Sequence, residues 1–466
     1  MFVGRRRELE LLGRQYNRTE GAFVPVYGRR RIGKSELLRQ FLRSRPGLYF
    51  VGKSAPRELQ LREFAREAAR LLDERLLESL GPRGDWKSLL QEVTDRWRGP
   101  GKLVLAFDEF QWTAESCPEL TSVLQELWDR QWRSAGVMLI LCGSLIGFME
   151  REVLGRKSPL FGRRTAEIRL RPFEPQEAAE FHPRWSRTDQ ASAYFFCGGV
   201  AQYHRALDPE LSIRQNLQAT ILSEFAPLFR EPDFLLREEL RDLEKYHAVL
   251  ASVASGANTL AAIASRTQVP RGSVHYYTET LNELGYITKS YPLSRLGGRP
   301  PTRSVRFVLG DALLRFWFRF IFPNQSAILR HGPRDAYRHY VAPELDAYFG
   351  YCFELLCRQQ LPAIYQSEGV NGRFEVGEFW NKQVQIDVVG IRDDGRTDLG
   401  ECKWGTVRSA AALERLLARK LAAFPNPSGH TLHSRLFVRN RPRGLRSAPG
   451  TSWHDLRDLY SAPTAG

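Results

Sequence analysis

Short apolar runs alternate with amphipathic stretches through about residue 200. The runs at 24–27, 47–51, 103–107 and 137–142 have the length of buried strands, and 34–42 and 58–80 carry helical periodicity. Strands this short, spaced by helices, predict a parallel sheet covered on both faces. From about 215 to 320 the pattern changes to short helices, a Gly/Pro-rich bend and an aromatic run. From about 335 it becomes a helix followed by alternating strands. Three modules are expected, at 1–212, 213–330 and 331–466.

In the middle module, helical patterns at 246–254, 259–266 and 273–284 flank a turn at Gln268 to Arg271. Val274, Tyr277, Leu281 and Leu284 form one apolar stripe on the third helix, opposite Ser273, His275, Tyr276 and Glu279. A bend bearing Arg295, Arg299 and Arg303 and a strand at 305–309 complete the pattern of a winged helix-turn-helix. Two roles stay open for it: contact with DNA, or a lever between its neighbours. The aromatic run Phe316 to Phe322 reads as a packing helix, with a nucleic-acid stacking platform as the lesser alternative.

Composition narrows the classes. Apolar residues are 42% and charged residues 26%, as in globular chains, and the net charge of +15 permits a polyanionic partner. No apolar run reaches the ~18–20 residues of a membrane span, and MFVGRRRELE lacks the apolar core of a signal peptide. The six cysteines show no C-x-x-C pair and read as buried reduced thiols. A cytoplasmic protein without a membrane partner is expected.

The strongest chemical signal is Gly28-Arg29-Arg30-Arg31-Ile32-Gly33-Lys34-Ser35, a phosphate loop between a strand and a helix. Its glycines let backbone N–H groups curl around phosphates, and the helix N-terminus adds positive partial charge. Lys34 would carry charge to the β- and γ-phosphates, and Ser35 a hydroxyl to Mg²⁺. The strand ending in Asp108-Glu109 places an acidic pair at the sheet's carboxyl edge. Asp108 would hold Mg²⁺ and Glu109 would orient or deprotonate the attacking water. Ser144, after the 137–142 strand, is placed to sense a γ-phosphate or merely to cap a loop. Arg163 and Arg164 sit in a Gly turn, as a γ-phosphate arginine or as a basic surface.

Phe2-Val3-Gly4-Arg5, the phosphate loop, Asp108-Glu109-Phe-Gln-Trp, Cys142-Gly-Ser144 and Pro159-Leu-Phe-Gly-Arg163-Arg164 together resemble the archaeal and bacterial AAA+/STAND-type ATPases. The resemblance implies ATP and Mg²⁺ as cofactors, Phe2 to Arg5 on the adenine side, and Arg163 or Arg164 as γ-phosphate sensor. It also implies a C-terminal domain of unknown function. The family's G-G-x-P element appears as Cys197-Gly-Gly-Val-Ala201, with Ala in place of Pro.

In the last module Glu354 sits in an apolar helix, Asp387 in an alternating strand, and Glu401 and Lys403 in the next strand past a turn at Asp393 to Arg396. Strand alternation puts Glu401 and Lys403 on one face, within reach of Asp387. Such a set can hold a divalent metal and activate water for phosphodiester cleavage. The spacing resembles the PD-(D/E)xK nucleases, with Ile386 where a proline is expected. That resemblance implies a restriction-endonuclease-like α/β fold, Asp387, Glu401 and Glu354 as ligands of a second Mg²⁺ or Mn²⁺, and Lys403 as charge stabiliser. A solvent-facing E-x-K beside a loop Asp is the alternative. The leading expectation is therefore an ATPase coupling nucleotide state to DNA binding and cleavage. A STAND-type signalling ATPase with a silent C-terminal adaptor, or a remodeller of another protein, is the alternative. A second copy of the chain or another protein stays open as a partner.

Overall fold

The computed structural model describes residues 2–80, 84–298 and 304–461. The chain divides into two compact units: one runs to Phe173 and takes in Val200–Gln202, and the other comprises Glu174–Gly199 and the chain from Tyr203 onward. This division differs from the expected boundary near 212. Glu174–Gly199 packs within the second unit, where Tyr348 donates its hydroxyl to the Phe195 carbonyl at 3.1 Å and Gln176 bonds Gln360 at 2.5 Å.

The first unit is built on β1 (Ala22–Tyr27), β2 (Gly47–Val51), β3 (Leu103–Asp108), β4 (Val137–Gly143) and the short β5 (Ile168–Arg169). They form one parallel sheet in the order β2-β3-β4-β1-β5. Side-chain alternation splits it into two cores. Phe23, Tyr27, Leu105 and Phe107 face a cluster with Phe50, Phe64 and Trp86, while Ala22, Val24, Val26 and Val104 face Leu37, Leu38 and Phe41. Both faces are covered, as the unbroken apolar runs require. The expected helix over 58–80 is two helices, Arg57–Leu72 and Leu76–Leu80, because Asp73 ends the first in a left-handed conformation (φ 52°).

In the second unit, helices Leu243–Ala254, Leu260–Thr267 and Arg271–Glu283 precede a two-stranded antiparallel pair, β6 (Ile287–Ser290) and β7 (Arg306–Leu309). Thr259 caps the second helix through Ala262 N–H. Val274, Tyr277 and Leu281 are buried and Tyr276 is exposed, as the stripe predicts. The wing arginines Arg299 and Arg303 lie outside the described residues, and Arg295 is exposed. The aromatic run continues helix Ala312–Phe316 through a π-helical turn, Trp317–Ile321. Phe316, Trp317, Phe318 and Phe320 are buried, and the Trp317 indole N–H donates to the Phe229 carbonyl at 2.7 Å. These rings pack and are unavailable as a nucleic-acid platform.

The long helix Ala342–Ser367 precedes β8 (Phe374–Trp380), β9 (Gln385–Arg392) and β10 (Arg396–Lys403), followed by helix Ala410–Ala423, β11 (Thr431–Val438) and β12 (Thr451–His454). The sheet order is β12-β11-β10-β9-β8, antiparallel from β8 to β10 and parallel from β10 to β12. Gly395, at φ 80°, makes the β9–β10 turn. The chain after β6 lies against the outer strand β8. Leu293 N–H donates to the Glu378 carbonyl at 2.8 Å, Ser290 donates its hydroxyl to Glu378 Oε1 at 2.5 Å, and Leu293 and Leu296 pack on Phe379, Val384 and Ile386.

Candidate functional site

The phosphate loop takes the shape its glycines predict. Gly28 and Gly33 lie at φ 152° and 97°, and a Cβ on Gly28 would stand 2.4 Å from the Leu170 carbonyl oxygen. Gly33 leads directly into helix Lys34–Leu42. The buried Lys34 amine donates to the loop's own carbonyls, Gly28 at 2.9 Å and Arg29 at 2.8 Å. Burial lowers its pKa from the ordinary range, and the nearby charges of Glu109 and Asp108 oppose that shift. Ser35 opens the same helix, half-buried.

Residues 2–5 lie beside this loop. Arg5 donates to the Ile32 carbonyl at 2.9 Å and stacks 3.9 Å from the Phe173 ring centre. Gly4, at φ 63°, leaves no room for a Cβ, which would meet Phe173 at 2.7 Å. Val3 is buried and Phe2 packs on the sheet core. Ala201 approaches the position of a Gly33 Cβ to 4.0 Å, so the Val200–Gln202 stretch of this unit reaches the loop.

The acidic pair is held from several sides. Tyr49 donates its hydroxyl to Asp108 Oδ2 at 2.5 Å, and Glu109 N–H donates to Asp108 Oδ1 at 3.0 Å. Glu109 adopts φ 49°, rare for a residue with a Cβ, and its carboxylate accepts from the Ser144 hydroxyl at 2.7 Å and from the Gln111 amide. Ser144 thus positions Glu109, and Gln111 bridges the two with a 3.2 Å bond to Ser144. Arg163 forks onto Asp129 at 2.9 and 2.7 Å, while Arg164 pairs with Glu167 at 3.0 Å. Both arginines expected near a γ-phosphate are therefore ion-paired elsewhere.

The C-terminal residues converge from different elements. Asp387 on β9 accepts the Cys402 N–H at 3.0 Å. The buried Glu401 carboxylate is clasped on one oxygen by Lys403 at 3.0 Å and on the other by Lys420. Burial and the charge of Glu401 raise the Asp387 pKa. Burial, then Asp387, pushes Glu354 up to about 8. Glu378 on β8 pairs with Arg358 at 2.9 Å. Among the described residues no group of three or more His, Cys, Asp or Glu is arranged to hold a metal ion. Two lysine amines stand around Glu401 instead. Lys420 was not singled out from sequence, although it follows Leu413 and Leu417 along the buried stripe of helix Ala410–Ala423.

Residues 2–203 match the family described as an ATPase domain predominantly from Archaea. The first unit has the parallel-sheet fold of a P-loop ATPase. Residues 243–290 match the IclR helix-turn-helix domain, and 317–414 match archaeal and bacterial proteins of unknown function. An uncharacterized protein of Methanocaldococcus jannaschii is 27% identical over 424 residues, 90% of this chain and 92% of that one. An uncharacterized ATP-binding protein of the same organism is 44% identical over 45 residues, 10% of this chain and 76% of its own. Among solved structures, the Walker-type ATPase of Pyrococcus abyssi aligns with TM-score 0.51 and 20% identity, covering 68% of this chain and 96% of that one. That likeness is one of fold.

No helix among the described residues is long and apolar enough to cross a membrane. All six cysteines are free and buried.

Proposed function

We propose that this protein hydrolyses ATP in its first unit and uses the nucleotide state to control nucleic-acid binding by the helix-turn-helix. The observation that carries the first half is the loop itself: a glycine-built cradle with a buried lysine amine, opposite an acidic pair at the end of β3. The residues fit ATP and Mg²⁺. Lys34 would exchange the carbonyls of Gly28 and Arg29 for phosphate oxygens, and the hydroxyl of Ser35 and the carboxylate of Asp108 would face the cation. Bound Mg²⁺ supplies charge neutralisation at the β- and γ-phosphates. Glu109, fixed by Ser144 and Gln111, orients the attacking water and draws its proton. Phe2 to Arg5 would flank the adenine, and Arg163 or Arg164 would reach the γ-phosphate only on releasing Asp129 or Glu167. Lys34→Ala tests the site: turnover should vanish, and unchanged hydrolysis would remove residues 28–35 from it.

The exposed face of helix Arg271–Glu283, with Arg271 and Tyr276, supports contact with a duplex groove. In a nuclease reading, Asp387 and Glu401 would hold one Mg²⁺ or Mn²⁺, with Glu354 as an additional ligand and Lys403 as charge stabiliser, and the metal would activate water for phosphodiester cleavage. Lys420 would have to leave Glu401 for the cation to enter. The clasp of Glu401 by two lysines favours a second reading, in which the C-terminal domain is a silent adaptor of a STAND-type regulator. Plasmid nicking with Mg²⁺ or Mn²⁺, lost in Asp387→Ala and Glu401→Ala, separates them; wild-type protein inert on DNA and RNA supports the adaptor.

A further inference from the structure

Within the second unit, a cavity of about 590 Å³ opens between the winged helix and the C-terminal sheet. Arg306 of β7, Arg315 and Arg319 of the aromatic segment, and Tyr351 and Glu354 of the long helix line it, with Glu378 of β8. Arg319 pairs with Glu344 and Glu378 with Arg358. Among the described residues, neither Arg306 nor Arg315 has a carboxylate partner. The Arg306 guanidinium lies 4.1 Å from the centre of the Trp380 ring. Arg315 donates from Nη1 to the Leu309 carbonyl at 3.0 Å, while its buried Nε has no acceptor.

The charge of Glu378 acts on Arg306 without an ion-pair contact, and two guanidiniums with no carboxylate in contact, one carrying an unmet buried donor, are costly unless a ligand supplies acceptors. Their planar forks match a phosphate. Tyr351 lines the same cavity with the Arg315 guanidinium 6.0 Å from its ring centre, so a base against this ring would lie beside the phosphate-binding arginine. The volume is that of a small-ligand site and admits about one nucleotide, not a duplex. Glu354 joins this cavity to the Asp387–Glu401 cluster, whose charges it feels.

We propose that the cavity receives a phosphorylated nucleoside, its phosphate on Arg306 and Arg315 and its base against Tyr351, either at the end of a single strand or free. The strand-end form rests on the nucleic-acid reading above but does not require cleavage. Full-length protein saturated with ADP, to occupy the phosphate loop, would be titrated calorimetrically with thymidine tetranucleotides carrying a 5′-phosphate, a 3′-phosphate or neither, and with thymidine 5′-monophosphate. A phosphorylated tetranucleotide should bind about tenfold or more tighter than the unphosphorylated one, the worth of one charge-assisted contact. The preference should disappear in Arg306→Gln, with ADP affinity and melting temperature unchanged. Should that variant misfold, Tyr351→Leu should weaken every thymidine ligand while keeping the phosphate preference. A tetranucleotide preferred over the mononucleotide assigns the strand end, and equal binding assigns the free nucleotide. Equal affinity with and without phosphate, or a preference surviving Arg306→Gln, overturns the proposal. Duplex binding alongside phosphate-blind tetranucleotide binding would overturn it while leaving the nucleic-acid reading intact.

Discussion

At the scale of single residues, position in space separates groups that look alike in sequence. Glu109 is held by a hydroxyl and an amide in a strained backbone turn, which fixes the direction of its carboxylate. Glu109→Gln should retain ATP binding and lose roughly 10²-fold or more in turnover, measured as nucleotide affinity against phosphate release. Glu354 behaves differently. Its carboxyl, pushed up to about 8 from an ordinary 4.5, holds its proton more tightly folded than unfolded. That stabilisation is complete below about pH 4.5 and is lost as pH rises through 8. The melting temperature should therefore fall between pH 7 and 9 in the wild type and less in Glu354→Gln. The placement of the loop and of the acidic pair was legible in sequence because their residues are contiguous and their positions follow from local backbone geometry. Tyr49 on Asp108, Ser144 on Glu109 and Lys420 on Glu401 join distant segments, so no local pattern encodes those contacts.

At the scale of elements, the C-terminal sheet carries a buried ionic lattice on the opposite face of β10 from Glu401. Asp398 accepts from Arg435 Nε at 2.7 Å, from Tyr365 at 2.6 Å and, at 2.8 Å, from His433, while Arg435 forks onto Glu368 at 2.7 Å. These partners hold Asp398 near 2, below the usual carboxylate range, against the opposing effect of burial. Arg435→Met removes the cation that Asp398 and Glu368 share, leaving Asp398 with Arg392 at 3.9 Å, and should cost about 3 kcal/mol in urea unfolding. The strands themselves were readable from alternation, and the pairing of β9 with β10 from its Asp-Asp-Gly-Arg turn. The lattice was not readable, because Asp398 and Arg435 meet only when β10 and β11 pair in parallel across an intervening helix.

At the scale of the whole molecule, charge is distributed so that no single polyanion claims it. Arg29, Arg30 and Arg31 lie within the loop at 28–35, Arg163 and Arg164 are ion-paired, and the described part of the wing lies against β8. If the helix-turn-helix binds DNA, affinity should drop steeply between 50 and 200 mM salt, and Arg271→Glu should weaken binding and flatten the salt slope by about one unit. Equilibrium titrations at several salt concentrations with ADP and with a non-hydrolysable ATP analogue would check both the charge and its nucleotide control. The winged helix was expected from helix spacing and its apolar stripe. Its role as a cover for a neighbouring sheet was not, since Leu293 and Leu296 look like ordinary bend residues until β8 is placed beside them.

That cover has a consequence for solubility. β8 is a terminal strand of its sheet, and an unpaired strand edge is a template for intermolecular pairing. The Pro292–Leu293 segment caps it: a proline contributes no donor, and the Leu293 bond occupies the Glu378 carbonyl. Gly377 permits this approach, since a Cβ there would stand 3.3 Å from Leu293 Cβ. Gly377→Val should lift the cap, speed amide exchange along β8 and make the protein self-associate as its concentration rises, with the first unit still binding nucleotide.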